Sequence, residues 1–559
     1  MAQDAFSLYH IAQELNQTLK GAKINRVSQP DKDDVYLLTH SFSGNRVLVL
    51  SSNAESCRIA FTSVEKPNPK SALGFCMLLR KHLLGAVIES VELVGFERIV
   101  KITFSGRNDF KEQVKKVLYC EIMGKYSNLI LTENGIILGC QKNAPLDVAT
   151  TRVTLSGAKY ELPKAQDKVE ISNKSEAISR LSAFSGEDLA KFLFENVKGF
   201  AYSTAVEAAK RCTPFSQTEE LYNKLYEFTF NPKIKPNVAG EGKLADVYVT
   251  DYISIGGEKK YYPTIADAYD DFYTNKEKNK AFALKKKLLS DKVNGLIKKL
   301  GKKLQGESEK LLACKDMESL RIKGELITAN IYRLKEGLEF CELENYYDDY
   351  KPIKIALDKQ LSPSKNAQRY FKRYAKEKRT VEILLPQKAQ TEKELSYLLT
   401  VQMFINQATE ISEFKDLEDE LILAGLLPKP KFKPKTVDES PYRVFSVDGY
   451  IIKCGKNNVQ NDRLTQRAFK EDLWLHTKNF HSAHVIIETK GVQIPDKVIE
   501  VGAEICAYYS DAKQGSKVPV DYCFKRFVKK PHEAKPGSVI YTDFKTCYVN
   551  PNPHTEYLI

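Results

Sequence analysis

Residues 282–311 read FALKKKLLSDKVNGLIKKLGKKLQGESEKL, and their spacing decides the architecture. Phe282, Leu289, Val293, Leu296, Leu300, Leu304 and Leu311 follow one another in steps of seven, four and three. Such steps keep an apolar seam on one helix face, the pattern of a coiled coil. Lysines and glutamates fill the other faces, and neither proline nor a turn cluster interrupts the run before about Tyr346. A second helical run starts near Ser364 and carries Leu395, Leu398, Val401, Phe404 and Ile405. The stretch between them, Tyr346 to Pro352 and then Ser362-Pro363, reads as a short connection, so an antiparallel pair is predicted. A helix of roughly sixty residues is about 90 Å long. A globular enzyme rarely needs that reach; a protein bridging distant parts of a large partner does.

Outward from this arm the periodicity changes. Residues 1–173 mix short helices, Ile11 to Leu19 and Cys76 to Leu84, with strands such as Val87 to Leu93, Ile99 to Phe104, Val117 to Ile122 and Ser127 to Leu131. That alternation predicts an antiparallel sheet. Residues 174 to about 235 read as helices with a tight break at Lys198-Gly199-Phe200, and strands return at Asp246 to Val249 and Ile253 to Ile255. The arm with its stiff basic linker, Leu427 to Pro434, fills 277–434, and a last compact domain fills 435–559. The predicted fold class is therefore α+β and multidomain: an N-domain at 1–173, a helical region with a strand segment at 174–276, the coiled-coil arm, and a C-terminal α+β domain.

The chain has 559 residues, 42% of them hydrophobic, enough for several cores, and a net charge of +13 that favours a polyanionic partner. Its start, MAQDAFSLYH, has no basic region followed by an apolar core, and no apolar run approaches a membrane span. The 11 cysteines are scattered without a CxxC pair. Reduced thiols, a cytoplasmic location and no membrane or disulfide framework are the expectation.

Individual constellations exclude more than they assign. Cys454-Gly455-Lys456-Asn457 lacks phosphate-loop spacing, and Asn457 stands where a magnesium-binding Ser or Thr is needed, so a turn is expected. His476, His481 and His484 have no thiol or carboxylate completing a zinc spacing, so no metal is assigned. Trp474-Leu475-His476 instead reads as a strand with Trp474 and His476 on one face. Glu97-Arg98, after Gly95-Phe96 and before strand Ile99 to Ile102, reads as a charged hairpin tip. There Arg98 could hold a phosphate or base edge while Glu97 orients it or accepts from a base amine. In Glu121-Ile122-Met123-Gly124-Lys125, small and polar residues interrupt a strand-rich stretch; Gly124 permits close backbone approach and Lys125 supplies charge. No catalytic triad or Gly-rich loop is visible.

Together these residues carry a resemblance. FCMLLRKHL at 75–83 and EIMGKYSNLIL at 121–131 look like motifs of the NFACT-N domain. GELITAN at 324–330 and KNAQRYF at 365–371 resemble parts of the family's arm. GKNN at 455–458, NDRLT at 461–465, LWLHTK at 473–478, PVDY at 519–522 and KPG at 535–537 resemble NFACT-R. The family is that of the RqcH/NEMF proteins, also labelled fibronectin-binding protein A-like. The resemblance implies an N-domain similar to the formamidopyrimidine-DNA glycosylase N-domain, followed by a helix-hairpin-helix region. Met1-Ala2-Gln3 offers no nucleophilic N-terminal proline, so base excision is not expected.

It also implies a ribosome quality control factor, not an enzyme and without a cofactor. Such a factor binds the large ribosomal subunit carrying stalled peptidyl-tRNA and recruits alanyl-tRNA. It thereby promotes mRNA-independent C-terminal alanine tailing, which marks nascent chains for degradation. The implied tRNA-binding residues are Glu97, Arg98, Glu121, Ile122, Met123 and Lys125. Candidate rRNA-binding residues are Lys456, Arg463, His476, Lys478, Lys525, Arg526, Lys529 and Lys530. Two departures stand out: Glu97-Arg98 replaces the family's Asp-Arg pair, and Asn479 to His484 replaces the usual Gly-Ser-His ending. The alternative from another class is a surface adhesin with fibronectin binding, which in a rescue factor would be a secondary property.

Overall fold

A computed structural model describes residues 3–42, 44–107, 112–144, 152–164, 166–240, 242, 245–429, 441–489, 491–532 and 534–559. It divides into two compact units, Met1–Asn279 and Lys280–Ile559.

The first unit opens with α1 (Ala5–Leu19), β1 (Lys23–Ser28), β2 (Asp34–Ser41), β3 (Gly44–Ser51), β4 (Arg58–Thr62) and α2 (Gly74–Leu83). Then follow β5 (Val87–Leu93), β6 (Ile99–Arg107), β7 (Gln113–Glu121), β8 (Asn128–Glu133) and β9 (Ile136–Cys140). The strands form one nine-stranded sheet in the order β4-β3-β2-β1-β5-β6-β7-β8-β9. Helix α1 begins six residues before the predicted Ile11, because Asp4 caps it: the carboxylate accepts from Ser7 N at 2.8 Å and also from Ala201 N and Thr204 Oγ1, at 3.0 and 2.6 Å. One aspartate thus satisfies orphan donors at two helix starts.

The helical region is α3 (Lys174–Leu181), α4 (Leu189–Asn196), α5 (Tyr202–Cys212) and α6 (Thr218–Phe230). Next come β10 (Ile234–Ala239), β11 (Asp246–Thr250) and β12 (Lys259–Tyr261), in the order β11-β10-β12. The predicted strand Ile253 to Ile255 is instead a turn. The buried Glu207 carboxylate accepts the N–H groups of Ile253 and Ser254 at 2.9 and 2.8 Å, taking the donors a ladder would use.

Helix α7 (Ile265–Ala313) continues into the second unit, which adds α8 (Met317–Ala329), β13 (Phe340–Asn345), β14 (Lys351–Ala356), α9 (Pro363–Gln407) and α10 (Ile411–Leu423). Helices α7 and α9 are antiparallel neighbours: Lys286 Nζ donates to Asn406 O at 2.9 Å, Gln402 meets Asn294, and Thr391 Oγ1 donates to Glu307 at 3.4 Å. Leu289 and Val293 share one core with Leu398, Val401, Phe404 and Ile405, as the seam predicts.

The expected uninterrupted run to Tyr346 does not form. Backbone bonds tighten to the i−3 carbonyl at Cys314 and Lys315, and α7 stops after 49 residues, about 74 Å. Helix α8 continues the pairing, with the Cβ-less Gly324 set against the Phe371 ring of α9. The Tyr346 to Pro352 stretch is no plain connection either. It is the turn and the first residues of the second strand of a hairpin, β13–β14, whose Cys341, Leu343 and Ile355 pack on Leu326, Ile327 and Ala367. Lys285, Lys298, Lys299, Lys302 and Lys303 are exposed on α7. Of the predicted basic linker, residues 430–434 lie outside the described residues.

The C-terminal part contains β15 (Arg443–Val447), β16 (Tyr450–Cys454), α11 (Asn458–Arg467), β17 (Leu473–Thr477), β18 (Val485–Glu488) and α12 (Asp496–Tyr508). It ends with β19 (Val518–Phe524), β20 (Val528–Lys529), β21 (Ile540–Tyr541) and β22 (Lys545–Val549). A six-stranded sheet runs β15-β16-β18-β17-β19-β22, and β20–β21 form a separate pair.

Candidate RNA interface

The β5–β6 hairpin turns through Gly95 and Phe96, both with positive φ, at 52° and 51°. Left-handed backbone is unusual for phenylalanine, and tertiary packing holds it here. The Phe96 ring is buried against Tyr9 and Phe230, with centroids 5.8 and 5.7 Å away, and lies over Gly199. The Gly199 carbonyl accepts from Ala5 N and Phe6 N at 3.0 and 3.2 Å. The α4–α5 break is thereby fastened to α1, and Phe96 anchors the hairpin on it.

With Phe96 turned inward, Glu97 and Arg98 line a cleft of about 460 Å³ together with Met123, Lys164, Lys168 and Lys198. They are half-buried walls, not the projecting tip expected from sequence. The Arg98 carbonyl accepts from Ile122 N at 2.8 Å, just past the Ile99–Glu121 pair of the β6–β7 ladder. This continued pairing brings Met123 beside Arg98, so two separated motifs share one site. Lys198 lies 3.8 Å from the Glu97 carboxylate and 3.3 Å from Glu170. Burial pushes the Glu97 carboxyl up and the Lys168 ammonium down from their ordinary ranges. Four cations around three carboxylates, one of them the enclosed helix-capping Asp4, can take phosphates, while a carboxylate accepts from the amino group of an unpaired base.

The other residues of that motif divide. Glu121 is fully buried, paired with Arg152 and accepting from Tyr160 OH at 3.0 Å. Ile122 is buried as well. Direct tRNA contact by these two side chains is therefore corrected to a scaffolding position, since a carboxylate already satisfied inside has nothing to offer outside. Lys125 is exposed, its Nζ 4.9 Å from the Tyr126 ring centroid. Sequence reasoning missed Lys164, Lys168 and Glu170 altogether and saw Lys198 only as part of a helix break.

In the C-terminal part, Lys456 is buried with its Nζ 3.7 Å from Glu413, which also holds Arg443 at 3.2 Å. A phosphate contact from Lys456 is corrected to an internal ion pair. The expected turn at 454–457 is a helix start: Asn457 Oδ1 accepts from Gln460 N at 2.7 Å. The neighbouring asparagines are structural too. Glu420 accepts Asn458 N and Nδ2 and Tyr397 OH, at 3.1, 2.9 and 2.7 Å, while Asn461 Oδ1 accepts His484 N at 3.0 Å.

Arg463 and Lys525 are partly buried; Arg526 and Lys529 are exposed; Lys530 pairs with Asp462. Arg526 lies over the Phe524 and Phe527 rings at 4.8 and 5.0 Å. Lys478 sits over Phe544 at 5.3 Å. Trp474 and His476 share one face of β17, as predicted, with rings parallel at 5.6 Å. Burial lowers His476 to about 4 and His484 to about 3, so both imidazoles are neutral.

An unfolded histidine titrates near 6.5. As pH falls from about 6.5 towards about 4, the unfolded chain takes up protons that the fold refuses, and stability is lost. Denaturant unfolding followed by Trp474 fluorescence should show this loss, with a shallower slope in His476→Phe; an unchanged slope would rule out the histidine account.

Among the described residues, no group of three or more His, Cys, Asp or Glu side chains could hold a metal ion, and no helix is long and apolar enough to cross a membrane. Two family profiles match end to end: "NFACT N-terminal and middle domains" over residues 4–440 and "NFACT protein RNA binding domain" over 441–543. The chain is 33% identical to the Rqc2 homolog RqcH of Bacillus subtilis over 99% of both chains. It is 32% identical to the Rqc2 homolog RqcH of Streptococcus pneumoniae serotype 2, over 99% of this chain and 98% of that one. The solved N-terminal part of a fibronectin/fibrinogen-binding protein from Streptococcus suis aligns over 49% of this chain and 99% of its own, with 23% identity and a TM-score of 0.43. With both profiles and full-length relatives in register from end to end, the chain belongs to the NFACT family, among its RqcH-type members.

Proposed function

We propose that this chain is a ribosome-associated quality control factor. It binds the large ribosomal subunit carrying stalled peptidyl-tRNA and recruits alanyl-tRNA for template-independent alanine tailing. The observation that carries this reading is the cleft where Glu97, Arg98 and Met123 meet Lys164, Lys168 and Lys198. Its chemistry suits capture of an RNA loop, not bond making. The names of the RqcH relatives and the RNA-binding domain match support the same reading. In it the chain contributes binding and positioning only, and peptide bonds form in the ribosome's own RNA centre. Residues 1–173 and 174–276 are the tRNA-facing segments, 277–434 is the arm, and 435–559 binds ribosomal RNA.

Affinity-purifying the chain from cells, sequencing its RNA and analysing the C-termini of attached nascent chains tests this directly. Large-subunit rRNA, enriched alanine tRNA and alanine tails are expected; subunits without tRNA or tails would refute recruitment. The exposed arm lysines make a separate, salt-dependent contribution. Changing Lys298, Lys299, Lys302 and Lys303 to glutamine should flatten the dependence of log affinity on log salt by about 0.7–0.9 for each phosphate the lysines had neutralised. An unchanged slope would make those lysines solubilising groups only.

A further inference from the structure

The last strand, β22, lies beyond residues 441–543, where the RNA-binding description applies. Its register aligns His476 with Asp521 and Asp521 with Thr546, and Pro519 with Tyr548. Alternation therefore puts Trp474 and His476, Pro519 and Asp521, and Thr546 and Tyr548 on one sheet face. The other face, with Leu475, Val520 and Val549, is closed in a core with α12. At the Trp474 end the first face is roofed by β20–β21, where Val528 and Tyr541 cover the indole. Past that roof Tyr548, on the sheet's outermost strand, is 70% exposed; just before that strand Phe544 is 42% exposed, its ring edge-on to Tyr541 of the roof with centroids 5.3 Å apart.

The surroundings of these rings select a partner. Lys478 Nζ lies 5.3 Å from the Phe544 centroid, and exposed Lys517 is tied to the end of β22 through its N–H on Asn550 Oδ1 at 3.0 Å. The one carboxylate at the centre of the face, Asp521, is buried and accepts from Tyr541 OH and Thr546 Oγ1 at 2.9 and 2.6 Å. Lys478 Nζ, on a side chain 43% exposed, lies 4.0 Å from its Oδ1 and matches that charge within the protein. Bare rings separated by polar residues and flanked by lysines suit stacking on unpaired bases with phosphates alongside; a protein partner would ask for a continuous apolar patch.

We infer that this open face of β17, β19 and β22 binds an unpaired segment of RNA: Tyr548 and Phe544 stack on bases, and Lys478 and Lys517 take phosphates. This rests on the RNA-binding reading above but concerns a site separate from the Glu97-Arg98 cleft.

The test is a 4-thiouridine-labelled single-stranded oligonucleotide, photo-crosslinked to the full chain and mapped by mass spectrometry, with affinities measured in parallel on the Glu97→Ala/Arg98→Ala background. An adduct on the peptide spanning 544–548 is expected. Tyr548→Ala should weaken binding by about five- to a hundredfold, and Tyr548→Phe should restore it. Tyr548→Ala should leave the salt slope unchanged, whereas Lys478→Gln should lower it by about 0.7. Undiminished binding by Tyr548→Ala and Phe544→Ala, or preference for a duplex of the same sequence, overturns this inference and leaves the cleft reading standing. A wild-type chain that binds no RNA overturns both.

Discussion

Replacing Glu97 and Arg98 together with alanine is expected to strip tRNA from the purified chain while large-subunit association persists. A hydrogen bond to a charged group is worth about 1.5–3 kcal/mol, so removing even one such bond from Arg98 weakens a site by roughly ten- to a hundredfold. The fold should tolerate the change. The hairpin is held by the buried Phe96 ring and by backbone bonds from Val94 N to Ile99 O and from Ile122 N to Arg98 O, none of which uses the two truncated side chains. The Glu97 carboxylate is 40% exposed and 3.8 Å from Lys198, a pair worth about 0–1 kcal/mol. Glu97→Asp should retain tRNA, because the charge stays and Lys198 can still face it. Normal tRNA occupancy and normal tails in the double variant would show that the cleft is not where tRNA binds.

A comparably large effect is expected from one methyl group at Gly199. A Cβ there would sit 2.5 Å from Phe96 Cδ1 and 2.9 Å from Ala5 Cβ, on a backbone with φ of +86°. Left-handed strain costs about 1–3 kcal/mol and overpacking a similar amount. Gly199→Ala should therefore lower the stability of the first unit by about 2–6 kcal/mol, seen as an earlier melting transition. Because Phe96 must move, it should also release tRNA at temperatures where the fold survives. Gly186→Ala is the control: its Cβ would meet only the edge of Phe184, at 3.9 Å, so little change is expected. If Gly199→Ala melted and bound tRNA like wild type, Phe96 could not be the hairpin's anchor.

What was legible in the sequence is what covalent geometry writes into local periodicity. Steps of three, four and seven located the seam of Leu289, Val293, Leu398 and Val401, because a helix repeats every 3.6 residues whatever surrounds it. Alternation likewise located β5 and the shared face of Trp474 and His476, and the motif-based resemblance held over the whole chain. Where α7 would stop was not legible, since Cys314 to Asp316 contains no glycine or proline to mark a break. The β13–β14 hairpin was written in the alternation of Cys341 with Leu343 and of Ile353 with Ile355, but the longer helical pattern masked it.

The fate of each charge was decided by tertiary structure alone. Glu121 and Lys456 looked like surface charges and are buried because Arg152 and Glu413 come from distant stretches to pair with them. Lys164, Lys168 and Lys198 carry no local signal, and they line one cleft with Glu97 and Arg98 through the tertiary fold, in which Phe96 lies over Gly199, the Gly199 carbonyl accepts from the start of α1, and Val169 pairs with the chain at 196–198. Electrostatic and packing interactions join residues far apart in the chain. The sequence alone therefore determined the elements whose periodicity is strong and the family they belong to, and the fold determined where α7 stops and which side chains share the cleft.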